Sequence, residues 1–295
     1  MDTILWLMAD SPKLTAQIPI KIFTMNSISK CRFIFLFFLL TAAGSCKVQR
    51  TTAVNTAASL VTQGPLWGAV WQQKASEYKA LCYQAYNAAR MQLDILLQQP
   101  YSRPVALVTD IDETILDNSP YQVHIALKNE EYADASWMEW TKKVDCDTVP
   151  GALSFFTYAK NRGVDVFYIT NRLEAERDAT LKDIQRWGFP DAVTNHLTMK
   201  TTTSGKEPRR KAVADSHEII MLFGDNLSDF SAAFDKQPEG IRNAATRDNA
   251  TMFGTKFIVL PNAMYGDWEG MLYQYQHTLP PATKDSIIIS GLKKY

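Results

Sequence analysis

Four short apolar runs constrain this chain more than any other feature. Val105–Thr109 leads into Asp110, Val164–Thr170 into Asn171, Glu218–Gly224 into Asp225, and Phe257–Leu260 into Pro261. Each is too short for a buried helix and is rich in β-branched or aromatic residues, as a buried strand should be. Between them lie helix-like stretches. Pro150–Gly163 has Pro near its start and Gly at its end, Leu173–Trp187 is amphipathic and closed by Gly188, and Glu207–Ser216 carries Pro208 in its first turn. His196–Met199 is a weaker strand signal. Strands alternating with helices require crossover connections, hence an α/β, mainly parallel sheet with helices on both faces. In such sheets ligands sit beyond the carboxyl ends of the strands.

Upstream, Pro65–Gln99 reads as one long helix with apolar residues at three- and four-residue steps, stopped by Pro100. Residues 118–149 are mixed and aromatic, with Trp137 and Trp140. Residues 65–99 and 118–149 are expected to form a small helical accessory lobe beside a core sheet built from about 104–117 and 150–262. Residues 276–295 are expected to be a C-terminal tail.

The N-terminal region has a different logic. Lys30 and Arg32 precede the unbroken apolar run Phe33–Leu40, and Thr41-Ala-Ala-Gly-Ser-Cys46 follows. Charge, apolar run and small residues in that order make a secretory signal peptide, and the run is too short to span a bilayer. Cys46 after Ala-Gly-Ser resembles a bacterial lipoprotein signal, although Ala43 stands where Leu is usual; an ordinary signal peptide with an incidental Cys is the alternative. Residues 1–24 lack this logic and are expected to reflect a start assigned upstream. Residues 1–45 are thus read as an upstream segment and signal peptide, 46–64 as a tether, and 65–275 as the folded unit. The expected location is outside the cytoplasm, lipid-anchored through Cys46 at the bacterial outer membrane.

Formal net charge is zero, and no basic stripe suited to nucleic acid is visible. No CxxC and no Cys/His cluster suggests zinc. Whether Cys82 and Cys146 pair is not decided by spacing.

Three strand ends carry the chemistry. In Asp110-Ile-Asp112-Glu-Thr, two carboxylates one residue apart can divide labour: Asp110 attacks phosphorus, and Asp112 gives and takes the leaving-group proton. An EF-hand loop, the competing use of such spacing, needs Gly at its sixth position and further oxygen ligands; here Leu116 and Asp117 follow a strand. In Gly224-Asp225-Asn-Leu-Ser-Asp229-Phe, Asp225 can share a cation with Asp110, with Asp229 one turn on. Thr170-Asn171-Arg172 offers a hydroxyl, an amide and backbone N–H groups for phosphate, and Lys206 offers positive charge for its oxygens.

Taken in order, Asp-x-Asp-x-Thr, Thr-Asn-Arg, Lys and Gly-Asp-Asn-x-x-Asp-Phe resemble the haloacid dehalogenase superfamily. The longer strings Asp110–Tyr121 (DIDETILDNSPY), Pro261–Gly270 (PNAMYGDWEG) and Trp71–Leu81 (WQQKASEYKAL) resemble the class C acid phosphatases, the bacterial lipoprotein 5′-nucleotidases. The resemblance covers about residues 65–275. It implies a three-layer, Rossmann-like fold and a Mg²⁺-dependent phosphomonoesterase acting on nucleoside 5′-monophosphates and other phosphomonoesters through an aspartyl-phosphate. It implies Asp110 as nucleophile, Asp112 as acid/base and backbone metal ligand, and Asp225 as a metal ligand supported by Asp229. Thr170, Asn171 and Lys206 would hold phosphate, and Trp137 and Tyr265 would lie against the leaving group. Met138, Trp140 and residues 122–134 depart from the family pattern where the leaving-group pocket is expected. His124, His196, His217 and His277 fall in no phosphatase motif and are expected to be mostly structural. Pairing of two copies as a homodimer is compatible with this reading. The competing functions are an envelope lipoprotein that binds nucleotide or haem without turnover, and a phosphotransferase.

Overall fold

Strand β1 (Val105–Thr109) is buried on both faces, and the rest of the sheet is arranged around it. The computed structural model describes residues 59–295; the signal segment, Cys46 and residues 47–58 of the expected tether lie outside them. Side chains of β1 alternate between two cores, as a strand requires. Leu107 points into one, and Ala106 and Val108 into the other. β1 pairs in parallel with β4 (Asp165–Leu173) on one side and β6 (Glu218–Gly224) on the other; β5 (Leu197–Lys200) and β7 (Phe257–Val259) complete the sheet. The order is β5-β4-β1-β6-β7, and every pairing is parallel. The chain runs outward from β1 to β4 and β5, then returns to the other side of β1. The connections leaving β1 and β6 therefore diverge, which opens a crevice beyond their carboxyl ends.

Helices cover both faces. On the larger core lie α2 (Ser76–Leu96) and α5 (Ala152–Asn161), and Ile184 of α6 (Arg177–Trp187) joins them. Tyr86 stacks parallel to Phe223 of β6 at 6.1 Å between ring centroids, and Phe155 and Phe156 pack beside them. On the other face Val213 of α7 (Glu207–Ala214) packs with Val108, Ile169 and Leu222, and α8 (Glu239–Asp248) follows later in the chain. A small two-stranded ribbon pairs β2 (Leu116–Asp117) with β3 (Asp147–Thr148). Between these strands lie α3 (Ser119–Leu127) and α4 (Asp134–Thr141). Cys82 and Cys146 are separate buried thiols.

Three expectations need correction. The long upstream helix is two helices: α1 (Leu60–Lys74) ends at Ala75, whose backbone is extended, and α2 restarts at Ser76. Helix α2 belongs to the main core and not to an accessory lobe, because Tyr78, Cys82, Tyr86, Ala89 and Leu93 recur on one face and bury against the sheet. The tether and tail readings also fail at their inner ends. Residues 60–64 are helical, and Pro281–Gly291 forms α10, which packs on α1 after the short α9 (Asp267–Gly270). The contacts that join the two helices include polar ones made far apart in the chain. Ser59, at the N-terminus of α1, makes no side-chain cap to its own helix. Asp285 of α10 does that work instead, accepting from Leu60 N at 3.0 Å, Val61 N at 3.3 Å and Ser59 Oγ at 2.9 Å. A carboxylate there satisfies orphan N–H groups and complements the helix dipole. Lys284 beside it is buried and ion-paired with Glu131.

Loss of this cap should cost about 1 kcal/mol. Asp285→Ala is therefore expected to lower the thermal midpoint by roughly 2–4 °C, with hydrogen exchange rising first at the amides of Leu60 and Val61. Unchanged exchange at those amides would remove the capping role.

Candidate active site

The loop after β1 is shaped by its own backbone. Asp110 N donates to Phe223 O at 2.9 Å, continuing the ladder one residue past the strand. The carbonyl of Ile111 then accepts from the N–H groups of Ile115 and Leu116, both at 2.9 Å, which folds the chain sharply back. Glu113 sits at the turn with φ +56°, an uncommon conformation for a residue with a side chain. Its buried carboxylate compensates by accepting from Asn118 N at 2.7 Å and from the hydroxyl of Tyr265. Burial first, and then the nearby Asp112 and Asp117, push the Glu113 carboxyl well above the usual range.

Asp110 projects from this loop into a buried charge network. Lys206, at the start of α7, donates to Asp110 and meets Asp229 Oδ1 at 2.6 Å. Asp225 extends from the end of β6, and oxygens of Asp110, Asp225 and Asp229 all lie within 4.8 Å of one another. Asn262 Nδ2 steadies Asp225 Oδ2 at 2.8 Å. Gly224 makes the approach feasible, because a Cβ there would lie 2.3 Å from Asp229 Oδ2. Burial pushes the Asp110 carboxyl up to about 7, opposed by the Lys206 ammonium and reinforced by Asp229 and Asp112. Asp225 is raised well above the carboxylate range, first by desolvation and then by Asp229 and Asp110. Burial alone would pull Lys206 down, but the two carboxylates it touches bring it above its ordinary value.

Three acidic side chains against one ammonium leave excess negative charge. Hard oxygen donors at this spacing suit a divalent cation, which would relieve that repulsion. The donor set therefore fits a metal. Asp110, Asp225 and Asp229 are the three side chains that the fold brings together for it.

Asp112 is held differently. Arg172 donates to its Oδ1 from Nε at 3.0 Å and from Nη2 at 2.7 Å, and Asn118 Nδ2 adds a third bond at 2.9 Å. Its Oδ2 meets the Arg172 Nε at 3.3 Å. Arg172 is itself buried and is braced by Thr180 Oγ1 at 3.2 Å.

These groups open into a cleft of about 780 Å³. Its wall includes Asp110, Asp112, Asn171, Lys206, Asp225, Asp229, Trp137 and Tyr265, so eight of the nine site residues expected in the folded unit come together. Thr170 is the exception. Strand β4 continues through Leu173, so Thr170 is fully buried, its hydroxyl accepts from Arg172 N at 3.1 Å, and it is absent from the cleft wall. Asn171 points outward, and its Oδ1 accepts from Arg209 Nη2 at 2.7 Å. Trp137 combines wall and core, because it packs edge-to-face on Tyr121 with ring centroids 5.0 Å apart.

Trp140 is not on the wall; its Nε1 donates to Asn118 Oδ1 at 2.9 Å. Residues that sequence reasoning left without a role are Arg172, Arg209 and Asn118. The first was visible in Thr-Asn-Arg, but its partner Asp112 lies sixty positions away. His277 also reaches the cleft wall, whereas His196 and His217 serve structure, His196 stacking on Phe167 at 4.3 Å and His217 meeting Asp165 at 3.3 Å.

The raised Asp225 carboxyl has a pH consequence in metal-free protein. A carboxyl raised on folding binds its proton more tightly in the folded state, so its penalty is present when it is ionised and fades as pH falls. Asp225→Asn is expected to raise the thermal midpoint by a few degrees at pH 8 in chelator, with the gain shrinking towards pH 5. A gain independent of pH would show that charge repulsion is not its source.

Comparison with known proteins identifies the family. The family model described as "HAD superfamily, subfamily IIIB (Acid phosphatase)" matches residues 40–268. A class C acid phosphatase from Bacillus anthracis, solved with tungstate bound, superimposes with a TM-score of 0.77 at 41% identity, covering 79% of this chain and 98% of that one. Among curated proteins, acid phosphatase 1 of Solanum lycopersicum is 28% identical over 130 residues, 41% of this chain and 50% of the relative. The class B acid phosphatase of Rahnella sp. (strain Y9602) is 25% identical over 148 residues, 47% of this chain and 62% of the relative. The chain thus spans 50% and 62% of the lengths of these two curated relatives. On the family match and the solved likeness together, the chain belongs to the acid phosphatases of haloacid dehalogenase subfamily IIIB.

Proposed function

We propose that this chain is a Mg²⁺-dependent phosphomonoesterase that hydrolyses nucleoside 5′-monophosphates, among other phosphomonoesters, by way of a phosphoryl group carried on Asp110. The observation that carries the reading is the buried Asp110 carboxylate held against Lys206, with Asp225 and Asp229 at its side. A carboxylate so fixed is positioned before the substrate arrives.

In the first step an Asp110 oxygen attacks phosphorus, and the bond from phosphorus to the ester oxygen breaks. The departing oxygen takes a proton from Asp112. In the second step a water gives a proton back to Asp112 and attacks phosphorus, which frees Asp110 and releases inorganic phosphate. Three bonds from Arg172 and Asn118 fall on Asp112 Oδ1 and one longer contact from Arg172 Nε, 3.3 Å, on Oδ2, so Oδ2 is the less engaged oxygen and the one assigned to carry the proton. Lys206 and Asn171 face the phosphate oxygens from the cleft wall, while Thr170 acts at one remove, by bracing Arg172. Mg²⁺ held by Asp110, Asp225 and Asp229 would supply positive charge that offsets repulsion between carboxylates and a phosphate dianion. The aromatic walls at Trp137 and Tyr265 support a flat leaving group, and stacking of that kind tolerates different bases.

The same reading places the enzyme at the cell envelope, anchored by lipid on Cys46. A charged nucleotide crosses membranes poorly, so dephosphorylation outside the cytoplasm would release a nucleoside that has lost that barrier.

A phosphate-release panel of nucleotides, sugar phosphates and aryl phosphates, run with chelator and with Mg²⁺, tests the reaction. Turnover should vanish in chelator and return with Mg²⁺. Asp110→Asn should lower kcat by more than about 10³-fold with the fold intact. Full activity in that variant would end the covalent route, and a panel without turnover would end the enzyme reading. For the anchor, Cys46→Ser should move the protein from the membrane fraction to the soluble fraction; retention at the membrane would sink it.

A further inference from the structure

Asn118 stands at the N-terminal cap of α3, where an asparagine side chain ordinarily accepts from the first turn of its own helix. This one makes no such bond. It is fully buried, and its amide is engaged elsewhere. Three donors converge on its Oδ1: Trp140 Nε1 at 2.9 Å, Cys146 Sγ at 3.3 Å and Arg172 Nη2 at 3.4 Å. Two carboxylates accept from its Nδ2, Asp112 Oδ1 at 2.9 Å and Glu113 Oε2 at 3.5 Å.

An amide turned over at this site would set its oxygen against the Asp112 carboxylate and its nitrogen against three donors. Indole and guanidinium N–H groups can only donate, so they hold the oxygen on their own side and deliver the amide N–H to Asp112. The three are not equal. Trp140 is the nearest. The thiol is a weak donor. Arg172 Nη2 is shared with Asp112 Oδ1, which it meets at 2.7 Å. Without the indole N–H, Arg172 is the strong donor left for Asn118, and any shift towards it loosens the grip on Asp112.

We propose that Trp140 is a positioning residue for proton transfer: acting through Asn118, it fixes the Asp112 carboxylate so that Oδ2 is the oxygen that hands its proton to the departing oxygen. This rests on the phosphomonoesterase reading above and deepens it. Trp140 lies off the cleft wall, so its effect falls on proton delivery and not on contact with substrate. The need for that proton grows with the basicity of the departing oxygen. Nitrophenolate leaves readily without one, whereas phenolate, of nearly the same shape, does not.

The test measures kcat/KM on phenyl phosphate and on p-nitrophenyl phosphate for wild type, Trp140→Phe, Asn118→Ala and the double variant. Phenylalanine keeps a ring and removes the N–H. Trp140→Phe should lose about ten-fold on phenyl phosphate, the worth of one hydrogen bond, and no more than about two-fold on p-nitrophenyl phosphate. Asn118→Ala should lose at least as much with the same selectivity, and the double variant no more than Asn118→Ala alone, because Trp140 acts through Asn118. Equal loss on both substrates would mark a merely structural role, and it overturns the assignment; so do an unchanged Trp140→Phe and additive losses in the double variant. Should Trp140→Phe fail to fold, 3-benzothienylalanine at position 140, which keeps the indole shape with sulfur in place of N–H, decides by the same ratio. Should Asn118→Ala fail to fold, the ratio in the position-140 variant decides alone. Wild type that hydrolyses neither phosphate would overturn the phosphomonoesterase reading and this assignment with it; the other outcomes bear on Trp140 alone.

Discussion

The ammonium of Lys206 is the contact on which the site depends. It lies buried between Asp110 and Asp229, carboxylates from opposite flanks of one sheet crevice. Two carboxylates brought this close without a counter-charge would repel each other or take up protons. Lys206 makes their proximity tolerable, and it comes from a third element, the start of α7. Strand β1, strand β6 and helix α7 are thereby fixed relative to one another at the carboxyl edge of the sheet. The arrangement is weak evidence for stability, since desolvating three charges offsets much of their attraction. Its value lies in position: the nucleophile is held rigid where a phosphate must arrive.

The surrounding backbone serves the same end. Gly224 leaves room for Asp229 to fold back beneath Asp225, and the turn through Glu113 holds Asp110 and Asp112 in place. Glu113 adopts a left-handed backbone and buries its carboxylate, both unfavourable locally. The compensation is long-range. Tyr265, from the loop after β7, donates to that carboxylate and so ties a wall of the cleft to the loop that carries Asp110. Local strain at a functional turn persists only when its surroundings over-determine it, and here a hydroxyl 152 residues away takes part in doing so.

How legible this was in sequence follows from the range of each interaction. Strands were legible because burial on both faces writes an uninterrupted apolar run, and Asp110 and Asp225 were legible because they end such runs. The break at Ala75 was not, because the apolar period continues through it while the backbone does not. The first turn of α1 and the whole of α10 were read as tether and tail for a related reason. Their docking includes Asp285 on the start of α1 and Lys284 on Glu131, polar residues that read as solvated surface until their partners are known. Thr170 was misplaced by a small error of another kind. The strand was expected to end there, yet it runs on three residues, and the alternation of side chains turns the hydroxyl inward and Asn171 outward. The motif correctly signalled a site, but motif membership did not say which of its side chains faces the cleft.

Separating the cleft into two ends explains why these errors concentrate where they do. The reacting end is built on strand termini, where the pleat and the ladder fix each side chain and a short motif suffices to describe it. The other end is built on helices α3 and α4 and on α1 and α10, which meet through pairs such as Gln63 with Ala126 O at 2.7 Å and Lys284 with Glu131. No sheet imposes a register there, so substitutions can reshape that wall without disturbing Asp110 or Lys206. Under the proposed reading, chemistry and leaving-group preference are thus carried by different parts of the fold.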